Sequence, residues 1–481
     1  MEGNGEGPAN ESPVGNLGKG VDEKTARRNV GIVAAIAGLA GLLFGYDTGI
    51  IASALLQIEP DFGISGFKSG AVVGAVPLGA VAGAFISSKY GDHFGRKRLI
   101  IVSAIIFIIG AVTSGLAPEE YTLFVSRLVI GVAIGVASAV APVYISEVAP
   151  PDRRGSLVTF FQLAVTIGIL VAYLVGLAFA DVTDGWRWML ALGAVPAMAL
   201  AAGVSYLPQS PRWLVMQGRH DDAMKALSRV RFGGDDTIKD EVAEIEEGMK
   251  KEKGSWRDLF APAIKAALLV GVGLAILQQI TGINTVIYYA PTILQEAGFE
   301  SNSAAILASL SVGIVNVIMT VVALRLLDKT GRRELLFIGV SGMSISLFIL
   351  GCVFLATNIG TAGSIIAILA LMTFVSSFAI SLGPIFWLIN AEIYPLSVRS
   401  EAASIGTMTN WLFNFIVSLT FLPLIDAFGH VFTNGQVGAF WFYGAIGLVT
   451  LWFCWKFVPE TKGKTLEQIE QIFIRRGEKK G

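Results

Sequence analysis

The chain has 481 residues, 53% of them hydrophobic and only 15% charged, with a formal net charge of −1. A soluble protein of that length needs far more surface charge, and a near-neutral balance offers no electrostatic footprint for nucleic acid. The two cysteines, Cys352 and Cys454, sit inside apolar runs and read as packing residues, while His93, His220 and His430 are scattered over loops with no metal-ligand spacing.

Residues 1–28 are polar and glycine-rich and lack the apolar core of a cleavable signal peptide, so a disordered cytoplasmic tail is expected there. A membrane helix needs about 20 apolar residues. Windows of that kind follow at 29–56, 69–88, 99–118, 121–146, 156–180 and 188–210, giving an expected N-terminal six-helix bundle over residues 29–210. Residues 211–258 form the one long charged segment, in which 221–227 and 241–246 read as short amphipathic helices. This segment is expected to be a cytoplasmic linker, and both a latch between the bundles and a plain solvated connection fit its composition. Further windows lie at 266–295, 301–324, 402–425 and 431–455, and the uncharged stretch 335–390 holds two more, split near 357–363. They make an expected C-terminal six-helix bundle over 259–458, followed by a cytoplasmic tail over 459–481 with a helix at 465–473. The fold class is therefore an all-α integral membrane protein with twelve transmembrane helices in two pseudo-symmetric halves.

A repeat supports the division. Glu-x-x-Pro-x-x-x-Arg occurs at Glu147, Pro150 and Arg154 and again at Glu392, Pro395 and Arg399, and Gly95-Arg96-Lys97-Arg98 is echoed by Gly331-Arg332-Arg333. Copies about half a chain apart, each just after an apolar run, are the signature of a transporter built from two related bundles. Basic residues occupy alternate loops: Lys89 and Arg96 to Arg98, Arg153 and Arg154, Lys329 with Arg332 and Arg333, then Arg399. The loops between them are acidic, with Glu59 and Asp61, Glu119 and Glu120, Asp181 and Asp184, Glu296 and Glu300. The positive-inside rule then places both termini in the cytoplasm.

Two ionisable residues lie well inside spans, Asp47 in the first and Arg127 in the fourth. Each costs about 2.5–3.5 kcal/mol to insert, so each needs a reason. With span 1 ending near Ala52 and span 4 starting near Tyr121, the two lie about 8 and 9 Å from the same membrane edge at about 1.5 Å per residue. Opposite charges at one depth predict a pair. Burial favours a neutral carboxyl and the arginine favours an ionised one, opposed effects that suit a proton switch, although a structural ion pair fits the same residues. The neighbours Gly45, Tyr46 and Gly49 read as a flexible cavity wall. Uncharged amides recur at Gln162, Gln278, Gln279, Asn284, Asn316, Asn410 and Asn414, with Tyr288, Tyr289, Trp387 and Trp411 among them. Gly282 and Pro291 predict a break that lets Gln278, Gln279 and Asn284 converge. Amides offer donors and acceptors to a ring of hydroxyls, and the absence of charge among them disfavours an ionic ligand. Interhelical hydrogen bonding is the competing account of such residues.

From about Val30 to Phe473 the chain resembles the sugar porters of the major facilitator superfamily. The resemblance rests on Phe44-Gly45-Tyr46-Asp47-Thr48-Gly49, Gly91-Asp92 through Arg98, Pro142 through Gly155, Pro208-Gln209-Ser210-Pro211-Arg212, Gln278-Gln279 through Tyr289, Gly383-Pro384-Ile385-Phe386-Trp387, and Pro459-Glu460-Thr461-Lys462-Gly463. It implies the major facilitator fold with a sugar site between the halves. The implied sugar contacts are Gln162, Ile169, Gln278, Gln279, Asn284, Asn316, Trp387, Asn410 and Trp411, with Phe44 and Phe378 as aromatic walls and Tyr288 and Tyr289 as an outer gate. It also implies a cytoplasmic salt-bridge network of Arg96, Glu147, Arg153, Arg154, Arg332, Glu392 and Arg399 that clamps the outward-facing state. Proton-coupled members carry the aspartate found at Asp47, whereas passive facilitators carry a neutral residue there. One departure is Gln209, where the family usually has Glu, which implies a missing carboxylate in that network. The implied activity is proton-coupled monosaccharide symport by alternating access across the cell membrane, with D-glucose the first expected substrate and a passive uniporter as the alternative. No cofactor beyond the co-transported proton, no metal and no enzymatic activity are expected. The expected partners are a neutral monosaccharide and the lipid bilayer, with no nucleic acid, and the functional unit is expected to be a monomer.

Overall fold

A computed structural model of the chain describes residues 21–150, 154–232, 234–250, 259, 261–356, 359–395, 398–462 and 468. Apart from one isolated bridge between Val21 and Phe232, these residues form helices and their connections. The first half contains α1 (Glu23–Phe62), α2 (Phe67–Phe94), α3 (Arg96–Gly115), α4 (Glu120–Val148), α5 (Arg154–Ala178), and a sixth span divided into α6 (Gly185–Ala191) and α7 (Ala194–Tyr206). Three short helices follow, α8 (Pro211–Met216), α9 (His220–Ser228) and α10 (Asp235–Lys250). The second half holds α11 (Pro262–Ile280) and α12 (Ile283–Glu296) as span 7, α13 (Asn302–Lys329), α14 (Arg332–Leu355), α15 (Thr361–Ala379) and α16 (Leu382–Glu392) as span 10, α17 (Arg399–Gly429) and α18 (Gly435–Phe457). Twelve of these helical stretches are long and apolar enough to cross a membrane. In hydrocarbon a helix satisfies every backbone polar group within itself, which is why runs apolar on all sides take this form.

Three details differ from the sequence reading. Helix α1 starts at Glu23, inside the tail expected over 1–28, with the Asp22 carboxylate capping the Thr25 N–H. It also runs ten residues beyond Ala52, through Glu59, Pro60 and Asp61, and stops only where Gly63 takes a left-handed φ of 63°. Charged residues end the membrane span but not the helix, because water solvates their side chains without breaking the backbone ladder. Span 10, expected to be continuous, is broken at Ile380 and Ser381, where Ser381 has φ −128° and ψ −103°. Pro384 marks the spot: it fits the first turn of α16, where its missing N–H leaves no intrahelical bond unmade. Residues 1–20, 251–258, 463–467 and 469–481, which carry much of both expected tails and the end of the linker, lie outside the described residues.

The halves meet at the end of the molecule that bears the acidic loops. There α2 and α17 touch so closely that a Cβ on Gly70 would lie 2.7 Å from the Leu419 carbonyl oxygen. Ser303 at the start of α13 donates to both oxygens of Asp181 across the same seam, at 3.2 and 3.1 Å. The linker helices pack around their own small core of Trp213, Leu214, Val215, Ala226, Leu227, Ile238 and Val242. They are fastened to the first half. Arg231 grips Glu241 at 2.8 Å and donates to the Val148 and Ala149 carbonyls at the end of α4, and Trp213 donates to the Asp92 carbonyl.

Candidate functional site

Between the halves lies a partly open cavity lined by residues of both. It extends toward the end that carries the basic loops: Ala323 and Leu324, within two turns of the end of α13, line it, as does Trp387, five residues before Glu392 and 37% exposed. All eleven residues expected to contact sugar line this one cavity: Phe44, Gln162, Ile169, Gln278, Gln279, Asn284, Asn316, Phe378, Trp387, Asn410 and Trp411. They come from α1, α5, α11, α12, α13, α15, α16 and α17, so both halves contribute.

The break in span 7 brings the amides together. Gly282 takes φ +88°, a conformation that suits glycine, and separates α11 from α12. Asn284 then turns back and donates to the Gln279 side-chain oxygen at 2.6 Å. Pro291 lies within α12 and does not interrupt it. Phe44 of the first half and Trp411 of the second stack at a tilt, with ring centroids 5.1 Å apart, and pin the two walls. The amides of Gln162 and Asn316 face the cavity, with no side-chain partner among the described residues.

Three lining hydroxyls were not singled out from the sequence, those of Thr48, Thr166 and Thr320, and they line the cavity together with Asn414, one of the recurring amides. Each lies four residues after an expected contact (Phe44, Gln162, Asn316 and Asn410), one helical turn along the same face. Helical spacing was the signal that could have found them.

Asp47 and Arg127 form a buried two-pronged pair, each guanidinium nitrogen 3.3 Å from its carboxylate oxygen, at 4% and 1% exposure. Arg127 also donates from Nε to the Val72 carbonyl on α2 at 2.9 Å. The pair does not line the cavity, but Thr48, next in sequence to Asp47, does. The expected flexible wall at Gly45, Tyr46 and Gly49 is corrected. Gly45 and Gly49 are where α1 touches the backbone of α5, at Val165 and Ile169, and Tyr46 donates to the Met189 carbonyl at 2.7 Å. These residues fix α1 against its own half. Tyr288 and Tyr289 are buried at the acidic-loop side of the cavity. Tyr289 donates to the Ser418 carbonyl at 3.1 Å, and the Tyr288 hydroxyl lies against Asn414 and Thr48.

At the basic end the two sequence repeats become two copies of one arrangement. In the first half Arg96 pairs with Glu147 at 2.9 Å, Ser210 donates to Glu147 at 2.6 Å, and the Gln209 side-chain oxygen accepts the Lys97 N–H at the start of α3. In the second half Arg332 approaches Glu392 at 3.8 Å, Thr461 donates to Glu392 at 3.1 Å, and Glu460 accepts the Arg332 and Arg333 N–H groups at the start of α14. Gln209 therefore keeps one of the two capping bonds that its counterpart Glu460 makes and lacks the charge. The Arg96–Glu147 and Arg332–Glu392 pairs each join residues of the same half. Arg399 donates to the Tyr394 carbonyl, while Arg153 and the side chain of Arg154 lie outside the described residues.

Burial pushes the Glu460 carboxyl up, but backbone N–H donors from Lys462, Arg333, Arg332 and Thr461 outweigh it and hold it below the usual carboxylate range. A depressed carboxyl contributes stability above its unfolded pKa and loses it as pH falls through the folded one. Glu460→Gln is expected to cost about 0.5–1 kcal/mol near pH 7, the scale of a carboxylate at a helix N-terminus. Thermal unfolding in detergent should show that difference fading below about pH 4.

The chain matches the model of the family described as "Sugar (and other) transporter" over residues 33–473. It is 41% identical over 442 residues to a D-xylose transporter of Levilactobacillus brevis, covering 92% of this chain and 95% of that one. It is 39% identical over 449 residues to a galactose-proton symporter of Escherichia coli (strain K12), with 92% and 94% covered. Among solved structures, the xylose transporter of E. coli in a partially occluded inward-open conformation superposes with a TM-score of 0.79 at 31% identity, covering 91% of this chain and 100% of that one.

Proposed function

From the premise that this chain belongs to the sugar porter family of the major facilitator superfamily, we propose that it is a proton-coupled monosaccharide symporter with both termini in the cytoplasm. The observation that carries the reading is the convergence of amides and aromatic rings from both halves on one uncharged cavity, beside a buried carboxylate–guanidinium pair. Amides match sugar hydroxyls, and the rings of Phe44, Trp387 and Trp411 match the apolar faces of a pyranose. Relatives named for D-xylose, glucose and galactose support a neutral pyranose, and D-glucose is the substrate we place first.

In this reading the acidic-loop end is extracellular and closed, and the cavity faces the cytoplasm. Sugar and proton load from outside. Protonation of Asp47 removes the charge that holds the Arg127 fork, α12 closes over the sugar, and the cavity opens inward. Asp47 then releases its proton and pairs again with Arg127. The electrical driving force is about 2.3 kcal/mol per charge at 100 mV, about fifty-fold in concentration.

The test is counterflow in proteoliposomes with D-glucose, D-xylose and D-galactose. At least one sugar should exchange. Gln162→Leu, which removes an amide that faces the cavity, should weaken its apparent affinity about tenfold, the loss of one or two neutral hydrogen bonds. Exchange of none of the three sugars would refute the reading.

A further inference from the structure

A proline inside a membrane helix leaves one carbonyl without its usual donor, and a neighbouring element has to meet it. Pro291 lies within α12 and has no N–H, so the Ile287 carbonyl, four residues before it, lacks the partner its own helix would supply. That carbonyl is met from the other half of the molecule. The hydroxyl of Tyr173, on α5, donates to it at 3.0 Å. Tyr173 is 1% exposed, and its ring also reaches α13, where a Cβ on Gly313 would lie 3.1 Å from the ring edge. One side chain of the first half is thus seated against two helices of the second.

The bond lies at the closed end of the cavity. Ile287 lines the cavity, as does Ile169, one turn before Tyr173 on α5. Helix α5 runs from Arg154 at the basic end to Ala178, just before Asp181, so Tyr173 lies beyond the lining residues on the acidic-loop side. A second contact between the halves at that end is built the same way. Pro423 lies within α17 and leaves the Leu419 carbonyl without its intrahelical donor. Gly70 of α2 faces that oxygen: a Cβ would lie 2.7 Å away, and in glycine that place holds a hydrogen, a weak donor. At both contacts a proline of the second half offers a carbonyl to the first.

We propose that Tyr173 is a positioning residue for alternating access, a latch on the outer closure whose catch is the carbonyl that Pro291 leaves free. The two groups stand on opposite halves, so the bond exists only while the halves meet at the acidic-loop end. When they part there, entering water meets both groups and neither is stranded. The latch therefore sets how readily the outer end opens, and Tyr173 does so from outside the cavity lining. The inference rests on the alternating-access reading for what the bond does, but not for which groups meet.

The experiment measures how fast a maleimide labels Ser309→Cys in the full-length chain in detergent, with Cys352→Ala and Cys454→Ala to remove the native thiols. Ser309 is buried one turn from Gly313 on the same face of α13, and it reaches solvent when α5 and α13 separate. Tyr173→Phe removes only the hydroxyl and leaves the Ile287 carbonyl unmet in the closed state alone, so labelling should be about tenfold faster. Pro291→Ala gives that carbonyl an N–H from its own helix. In that background Tyr173→Phe should change labelling by less than about threefold. Gly313→Ala, which pushes the ring off its seat, repeats the comparison if Tyr173→Phe does not fold. A rate within about twofold of wild type for the variant that folds, or an equal increase with and without Pro291, overturns the proposal. If wild type exchanges no sugar the symport reading fails, while the labelling rates still decide whether the latch exists.

Discussion

Asp47→Asn is expected to abolish accumulation and spare exchange. Wild-type protein in vesicles held at about 100 mV should concentrate sugar about fifty-fold, since one co-transported charge contributes about 2.3 kcal/mol. The variant should bring sugar only to equal concentrations, with counterflow within threefold of wild type. Asparagine is close in size to aspartate, can still accept from one of the two Arg127 nitrogens, and leaves the Val72 carbonyl bond in place, so the change removes the titratable group and one prong of the pair with little change in side-chain volume. Substituting Arg127 is a poorer test, because it removes the fork that Asp47 pairs with and its bond to the Val72 carbonyl while leaving the titratable carboxyl in place. Unchanged accumulation by Asp47→Asn would mean that the pair is structural and transport passive.

The largest effect on stability is expected at Gly45. A Cβ there would overlap the Val165 carbonyl oxygen, and reciprocally a Cβ on Gly168 would strike the Leu42 carbonyl oxygen. Both obstacles are backbone, which no rotamer change relieves, so α1 and α5 must separate. Overpacking costs about 1–3 kcal/mol and more where the backbone must move, so Gly45→Ala should cost at least about 3 kcal/mol. It should also weaken sugar binding, because Phe44 and Gln162 stand on the two helices being pushed apart. Gly31→Ala is the control. Nothing lies within 4 Å of that Cβ, so thermal unfolding should be unchanged or slightly raised.

These residues also show where a sequence is transparent and where it is not. Spans are visible because hydrocarbon demands about 20 apolar residues whatever their neighbours. Asp47 and Arg127 are visible as a pair because two lone charges in lipid have few other partners, although α1 itself runs ten residues past the end expected for span 1. The amides are visible as a group because there are too many for each to be a separate tie. What stays hidden depends on geometry between helices. Gly45 reads as flexibility until Val165 is seen against it, and Ser381 gives little sign of a break apart from the proline three residues on. Gln278 and Gln162 are the same residue type in similar surroundings, yet one is bonded to Leu382, Asn410 and Gln279 and the other faces open space. Only the partners distinguish them.

The central claim is that sugar movement carries a proton. Its most direct test is the external pH of lightly buffered proteoliposomes when D-glucose, D-xylose or D-galactose is added to wild-type protein. The expected result is alkalinisation that starts with sugar addition, saturates with sugar concentration and disappears in Asp47→Asn. Sugar that equilibrates across the same vesicles with no change in pH would contradict the account and leave a passive uniporter in its place.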